Sequence, residues 1–164
     1  MAGRNAVSPK RLWAPWRAVF LHGPKPRGCI FCHAGGTPRQ DRKNLVVARS
    51  RHAFAMLNLY PYNNGHVMIA PARHVGATDQ LRPEEWLAVL RLHQRLMPKL
   101  KRHLHPHGFN IGINQGRAAG AGILGHMHLH VVPRWVGDVN FMPIAGNTKV
   151  ISQSLDELYR LLTR

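Results

Sequence analysis

Short, mainly apolar stretches recur along the chain, and some of them alternate with polar residues at a period of two; both patterns are typical of strands. The pattern predicts four strands, at residues 44–48, 53–59, 66–70 and 109–114. A fifth strand is predicted at residues 125–135, where apolar positions alternate with three histidines. Proline, asparagine and glycine in Tyr60–Gly65 supply the backbone angles of a reversal between the second and third strands.

One long helix is predicted between the third and fourth strands. Thr78 or Asp79 is a candidate cap, Pro83 would lie in the first turn, and acidic residues follow at the positive end of the helix. The apolar stripe expected to dock on the sheet consists of Trp86, Leu90, Met97, Leu100 and Leu104. Pro98 has no N–H to donate, so we expect it to kink or interrupt the helix.

These elements predict an α+β fold, in which an antiparallel sheet of about five strands carries the long helix on one face. A C-terminal helix is predicted after Ser152 or Ser154, with its leucines on one side. Residues 1–28 are interpreted as a basic arm, extended and anchored by two tryptophans, and residues 29–164 as a single domain. Residues 33–43 are expected to form a polar loop.

The fifth strand carries the most distinctive chemistry in the chain. In a strand, His126, His128 and His130 would share one face, which favours a metal or catalytic site over a half-exposed, histidine-rich strand. A second H-x-H-x-H, at residues 103–107, lies where Pro106 ends the helix, so alternation does not bring its side chains together. We interpret this second motif as a solvated helix terminus.

Composition restricts the class of protein. The formal net charge of +16 favours anionic partners such as nucleotides, although an arginine bias also follows from genome composition. No stretch approaches the roughly 20 apolar residues of a membrane span, and residues 1–10 lack the apolar run of a signal peptide, so we expect a cytoplasmic location.

The two cysteines form one C-x-x-C motif. This motif is compatible with a redox pair, half a zinc site or two buried thiols.

A glycine-rich loop directly precedes the histidine strand. Residues 115–125 contain four glycines, whose missing side chains allow an anion to approach the backbone N–H groups closely. Because the loop lies next to three histidines in the sequence, we interpret it as a phosphate-binding loop.

The segment His126–Val132 matches the H-φ-H-φ-H-φ-φ signature, and the chain thereby resembles the histidine-triad (HIT) family of nucleotide hydrolases and transferases. Within the family it is most similar to bacterial diadenosine tetraphosphate phosphorylases. The segments that carry this narrower likeness are 12–17, 58–63, 107–110, 132–135, Gly137-Asp138 and Asn140-Phe141. The serine or glutamine usual in the loop is replaced by Ala121-Gly122, so we expect backbone N–H groups to contact the phosphate instead.

The resemblance implies a covalent mechanism. His128 would attack the α-phosphorus of an adenosine polyphosphate and His130 would stabilise the phosphate charge, before inorganic phosphate or water accepts the adenylyl group. The implied substrate-binding residues are Asn58, His66, Asn114, Gly120, Gly122 and His130. The implied reaction is phosphorolysis of diadenosine tetraphosphate, and the alternative within the family is hydrolysis of dinucleoside polyphosphates or adenosine phosphoramidates.

The resemblance also implies a structural zinc ion bound by Cys29, Cys32, His74 and His126, no organic cofactor, and a homodimer in which two sheets join. Two functions outside the enzyme class remain open at this point. One is a basic module that binds nucleic acid or polyphosphate. The sequence speaks against this function, because its aromatic residues are not interleaved with the basic ones as a stacking groove requires. The other is a histidine-rich metal-storage or metal-sensing protein.

Overall fold

The computed structural model describes residues 28–138 and 151–164. The predicted basic arm, apart from Gly28, and its two tryptophans lie outside the described residues. The helices are α1 (Ile30–Gly36), α2 (Pro83–Leu104) and α3 (Leu155–Thr163), with 3-10 turns at Pro38–Gln40 and Thr78–Gln80. The strands are β1 (Val46–Arg49), β2 (Ala53–Leu57), β3 (Val67–Pro71), β4 (Gly108–Ile113) and β5 (Leu129–Arg134).

The five strands form one antiparallel sheet in the order β1-β2-β3-β5-β4, so the α+β fold predicted from the sequence is confirmed. The crossover places the histidine strand β5 between β3 and β4. In the β5 register, His130 pairs with Met68 on one side and with Gly112 on the other. Strand ends differ from the predicted ones by at most two residues, the usual uncertainty of boundaries, except that β5 begins at Leu129, four residues after the predicted start.

Each face of the sheet is covered by its own apolar core. On one face, Ala55 and Leu57 of β2 pack in the cluster that contains α2 and α3. On the other face, Phe54 and Met56 pack in a smaller cluster with Phe31 of α1. Because both faces are covered, every residue of β2 is buried, as its uniformly apolar sequence allows.

The long helix begins later than the sequence predicts, and of the predicted apolar stripe only the C-terminal part, Met97, Leu100 and Leu104, packs in the core. It is capped at Arg82, and the predicted caps Thr78 and Asp79 lie in a separate 3-10 turn. The buried stripe consists of Ala88, Val89, Leu92, Leu96, Leu100 and Leu104, whereas the predicted member Leu90 is 48% exposed. The expected interruption at Pro98 does not occur, because Pro98 lies on the exposed side and α2 continues to Leu104.

The predicted loop at residues 33–43 is wrong at its start, because Ile30–Gly36 form α1. Two glycines made a helix improbable from propensity. Burial of Phe31 and Ala34 against β2 stabilises this short helix in its tertiary context. Cys32 lies in this helix and Cys29 is its N-cap residue.

The C-terminal helix agrees with its prediction, and the side chain of Ser154 accepts a hydrogen bond from the N–H of Glu157 at its start. Lys99 of α2 donates to the carbonyl oxygens of Leu162 and Arg164 at its end. Among the described residues, no helix is long and apolar enough to cross a membrane.

Candidate functional site

The three histidines of the fifth strand lie on the face opposite α2, as the alternation predicts. All three are buried, with exposed fractions of 0% for His126, 4% for His128 and 8% for His130. Regular strand structure begins only at Leu129, and the preceding segment is held where the N–H of Met127 donates to the carbonyl of Val75. The ring centroids of His128 and His130 are 4.7 Å apart. Each ring contacts a different set of neighbours, and its hydrogen-bond partners determine which ring nitrogen carries the proton.

The Nε2 atom of His128 carries a lone pair. Its Nδ1 atom lies 2.9 Å from the carbonyl oxygen of His126, and a carbonyl can only accept, so the proton of the neutral ring is on Nδ1. The Phe31 ring packs on this imidazole, with centroids 4.7 Å apart. Burial lowers the pKa of His128, although the hydrogen bond to the His126 carbonyl acts in the opposite direction. The ring is therefore a neutral imidazole with a fixed tautomer, which is the nucleophilic form.

His130 has the opposite tautomer, which a relay through His66 fixes. The N–H of Tyr62 donates to Nδ1 of His66 at 3.1 Å, so the proton of His66 is on Nε2. That Nε2 lies 2.9 Å from Nδ1 of His130, which must accept. The remaining proton of His130 is consequently on its own Nε2. The Tyr62 ring stacks on both imidazoles, with centroid distances of 4.6 and 5.5 Å.

His126 directs its lone pair toward the two cysteines. Its Nε2 atom donates to the carbonyl of Pro71 at 2.9 Å, so Nδ1 is unprotonated in the neutral ring. This Nδ1 lies 3.3 Å from Sγ of Cys29 and 3.6 Å from Sγ of Cys32. On the other side, Nδ1 of His74 is 3.1 Å from Sγ of Cys32. The unprotonated nitrogen of His126 thus faces the two cysteines, as it would in a metal ligand.

The four predicted metal ligands come together in the structure. Their donor atoms all lie within 4.8 Å of one another. Two thiols and two imidazoles are a common tetrahedral donor set for Zn²⁺, and the His126 tautomer leaves the correct atom unprotonated. Burial is the main factor that raises the pKa of Cys32. The residues present therefore fit a closed, four-coordinate zinc ion.

Several predicted nucleotide-binding residues surround the histidines. The Nδ2 atom of Asn58 lies 3.3 Å from Nδ1 of His66. Asn114 follows the Ile113–Leu129 pair at the end of β4, which places it beside His128 in the register. In the glycine-rich loop, the N–H of Gly120 donates to the carbonyl of Arg117, while Gly122 lies on the exposed return toward His126.

The sequence prediction did not include Phe31 and Tyr62, whose rings flank the histidines. Phe31 stands between the two cysteines, in a stretch for which the sequence predicted neither a helix nor a strand, so nothing in the pattern indicated that its ring is buried. Tyr62 lies in a turn that the sequence did predict, but nothing in the turn signal indicates which way its ring points. Conversely, the second H-x-H-x-H is outside the site: His105 ends α2 in a left-handed conformation, and His107 accepts from the N–H of Val136.

A sequence model of the HIT domain matches residues 39–136, and the chain belongs to the histidine-triad (HIT) family. Over 163 residues it is 40% identical to a protein of Mycobacterium tuberculosis named AP-4-A phosphorylase, covering 93% of this chain and 82% of that protein. A Zn-bound histidine triad family protein from Mycobacterium smegmatis has a similar structure, with a TM-score of 0.65 and 26% identity, over 83% of this chain and 91% of that one. A shorter match, 30% identical over 93 residues, is to a bis(5'-adenosyl)-triphosphatase of Dictyostelium discoideum, covering 57% of this chain and 62% of that protein.

Proposed function

We propose that the protein is a nucleotidyltransferase that cleaves diadenosine tetraphosphate by phosphorolysis, yielding ADP and ATP. The observation that carries the proposal is the pair of opposite tautomers on neighbouring rings. His128 presents an unprotonated Nε2 and His130 presents a protonated one, 4.7 Å apart by ring centroid. A nucleophile next to a fixed hydrogen-bond donor is what in-line attack on an anionic phosphorus requires. The 40% identity to the M. tuberculosis AP-4-A phosphorylase supports this choice of substrate.

In the first half of the reaction, the Nε2 lone pair of His128 attacks the α-phosphorus. A P–N bond forms as the P–O bond to the remaining phosphates breaks, and ATP leaves as an anion. The N–H of His130 donates to a non-bridging oxygen of the α-phosphate, where it stabilises the charge of the transition state. Because both rings are buried and their tautomers are fixed, little reorganisation accompanies the attack.

In the second half, inorganic phosphate attacks the adenylyl group on His128. Its oxygen forms the new P–O bond, the P–N bond breaks, and ADP leaves with His128 restored to its lone-pair form. Water in place of phosphate would yield AMP, which is the alternative activity in the family. Phosphate as acceptor is favoured by the basic character of the chain, since an anionic acceptor is concentrated by positive charge.

The substrate-binding roles follow the geometry around the histidines. Asn58, beside His66 at the end of β2, would hold the ribose. Asn114, beside His128, and the N–H of Gly122 would contact the α-phosphate. The N–H of Gly120 is bonded within the loop, so its role would be to shape the turn through its positive φ of 78°.

We further propose that Cys29, Cys32, His74 and His126 bind one structural zinc ion. With four protein ligands the ion would crosslink α1 to the segment before β5, and no position would remain open for substrate or water. The fit rests on the donor set and on the orientation of His126. Both thiols must be reduced for this role, which agrees with the cytoplasmic location expected from the sequence.

The edge strand β4 supports a homodimer. It is the last strand of the sheet, and Ile111 is 48% exposed although its register partner Val131 is buried in the α2 core. A second copy of the chain paired along β4 would cover Ile111 and remove an open sheet edge. The proposed assembly therefore joins two sheets through β4.

The test is product analysis by ion-exchange chromatography after incubation with diadenosine tetraphosphate, with and without inorganic phosphate. We expect ADP and ATP only when phosphate is present, and no turnover by His128→Ala. His103→Ala, from the second H-x-H-x-H, is the matched control and should retain activity. AMP and ATP formed without phosphate would identify a hydrolase, while no turnover under either condition would reject this substrate.

A further inference from the structure

Arg117 is the only formally charged residue between Arg102 and Arg134. This isolation is unusual in a chain with 23 lysines and arginines and a net charge of +16. The segment it interrupts contains β4, the glycine-rich loop and β5, which together form one side of the proposed active site. The overall basic composition of the chain therefore does not explain why this one charged residue lies here.

The loop holds Arg117 in a defined turn. The N–H of Gly120 donates to the carbonyl of Arg117 at 2.9 Å, and the N–H of Ala121 donates to the carbonyl of Gly116 at 3.3 Å. Gly116 and Gly120 have φ values of +83° and +78°, which side chains other than glycine rarely adopt. The base of the loop is tied to the segment after His74, where the side chain of Gln115 accepts from the N–H of Thr78. Three hydrogen bonds and two glycines with positive φ thus position the backbone that carries Arg117.

The position of this turn relative to the nucleophile follows from the sheet register. Ile113 pairs with Leu129, so Asn114 lies beside His128. Arg117 is three residues further along the chain, and its Cα is therefore at most about 11 Å from that of Asn114. The guanidinium of a long, flexible side chain at this distance can reach beyond the α-phosphate position.

On the side of the histidines opposite the glycine-rich loop lie the residues proposed to bind the nucleoside. Asn58 and His66 lie at the ends of β2 and β3, whereas Asn114 and the loop follow β4, on the far side of β5. A substrate whose ribose lies near Asn58 and whose α-phosphorus lies at His128 extends its remaining phosphates toward the loop. Gly112, the β4 partner of His130, has no side chain to obstruct this direction, and a Cβ there would contact nothing within 4 Å.

The guanidinium of Arg117 is available for a ligand. Arg117 is exposed, and it takes part in none of the five ion pairs found in residues 28–138 and 151–164. By contrast, Arg73 and Arg134, which flank the same part of the fold, are bound to Glu85 and Asp138. A guanidinium offers bidentate hydrogen bonds to phosphate oxygens, and such contacts carry both charge and geometry.

From this placement, and resting on the proposed function, we infer that Arg117 is a specificity-determining residue that binds the leaving polyphosphate beyond the scissile bond. It selects adenylyl donors with a chain of further phosphates over donors with a small leaving group. The nucleoside and the α-phosphate are recognised by other residues, so the loss of Arg117 reduces discrimination and leaves the chemistry at His128 intact.

The kinetic test compares diadenosine tetraphosphate with adenosine 5'-phosphoramidate for the wild type, Arg117→Gln and Arg117→Lys. For a mechanism with a covalent intermediate, kcat/KM for the donor reports the first half-reaction alone. We expect Arg117→Gln to lower kcat/KM for the tetraphosphate by about tenfold or more and that for the phosphoramidate by less than about twofold. Arg117→Lys should restore part of the loss. Arg91→Gln, an exposed arginine on α2, is the matched control and should change neither value.

Three kinetic results would overturn the inference: equal losses for both donors, no loss for the tetraphosphate, or a loss confined to kcat/KM for inorganic phosphate. The last result would show that Arg117 binds the acceptor phosphate.

A binding measurement separates this inference from the proposed function, because calorimetry with AMP and ATP requires no turnover. A preference of the wild type for ATP over AMP that Arg117→Gln removes supports the inference even if neither donor is cleaved. No preference, or one that survives the substitution, overturns it.

Discussion

The Nε2 atom of His66 lies 2.9 Å from Nδ1 of His130, and both rings are buried. Because the N–H of Tyr62 occupies Nδ1 of His66, the proton of the pair is directed from His66 to His130. A residue outside the histidine triad therefore decides which nitrogen of His130 can donate to a phosphate. His128 receives its opposite tautomer from a backbone carbonyl, so the two functional rings are set independently.

This relay predicts the effect of two substitutions at His66. Leucine fills similar space but cannot donate to Nδ1 of His130, so we expect His66→Leu to lower kcat for phosphorolysis by roughly tenfold or more, with a smaller change in KM. Glutamine can place its amide N–H near the position of the imidazole Nε2, and His66→Gln should recover part of kcat. Steady-state kinetics on both variants checks this. Equal impairment of the two would show that donation from residue 66 is not what matters.

The proposed zinc site predicts the metal content of two neighbouring variants. Purified without chelator, the wild type should contain one zinc per chain by mass spectrometry of the metal. Cys29→Ser removes one of four ligands, and both the zinc content and the melting temperature should fall. His33→Ala, an exposed histidine of α1 outside the cluster, should retain the metal. Unchanged zinc in Cys29→Ser would refute the ligand assignment.

His93 predicts a pH-dependent stability unrelated to catalysis. Its Nε2 atom is buried and has no hydrogen-bond partner among the described residues, and burial lowers the pKa of its ring. The groups that line this small space are all apolar: Val67, Ile69, Leu96, Met97, Leu100 and Val131. Since the unfolded pKa is about 6.5 and the folded value is lower, protons bind preferentially to the unfolded chain.

We therefore expect His93→Leu to stabilise the fold by about 1 kcal/mol at pH 7, because an unsatisfied buried nitrogen is removed. The difference should grow as the pH falls below about 6.5, where the wild type loses stability through protonation of His93. Urea unfolding at pH 7.5, 6.5 and 5.5 measures it, with His103→Leu on the same helix as control. A difference that stays constant with pH would rule out His93 as the titrating group.

The β4 edge predicts the oligomeric state. Sedimentation equilibrium should give twice the chain mass for the wild type and the monomer mass for Ile111→Lys, because a charge at the centre of the paired edges cannot be buried without cost. Val136→Lys is the control, since Val136 is 87% exposed and lies beyond the end of β5. A wild-type monomer would contradict the proposed assembly, and a dimer that persists in Ile111→Lys would place the interface elsewhere.

The sequence predicts the features that depend on local patterns, namely the alternation of side chains along a strand and the residues of a turn. Alternation along residues 125–135 correctly placed three imidazoles opposite Leu129 and Val131, and the Tyr60–Gly65 turn correctly joined β2 to β3. The donors of the metal cluster could not be deduced from spacing, since Cys32 is 42 residues from His74 and 94 from His126. That grouping came from family resemblance, and the structure brings the atoms together.

The errors have a common physical origin in tertiary contacts. Helix α1 contains two glycines and forms because Phe31 and Ala34 are buried against β2. The N-terminal half of the α2 stripe was misassigned at Leu90 because leucines lie on more than one side of the helix, and only the sheet decides which are buried. The tautomers likewise depend on backbone groups such as the carbonyls of Pro71 and His126, which no residue pattern encodes.

The central claim is that His128 is the nucleophile, and trapping the covalent intermediate tests it most directly. The protein is mixed with diadenosine tetraphosphate in the absence of phosphate, quenched within seconds at alkaline pH, digested and analysed by mass spectrometry. We predict one adenylyl group on the peptide that contains residues 126–130, located at His128 by fragmentation and absent from His128→Ala. An active enzyme that carries no adenylyl group, or carries it on a residue other than His128, would contradict the account.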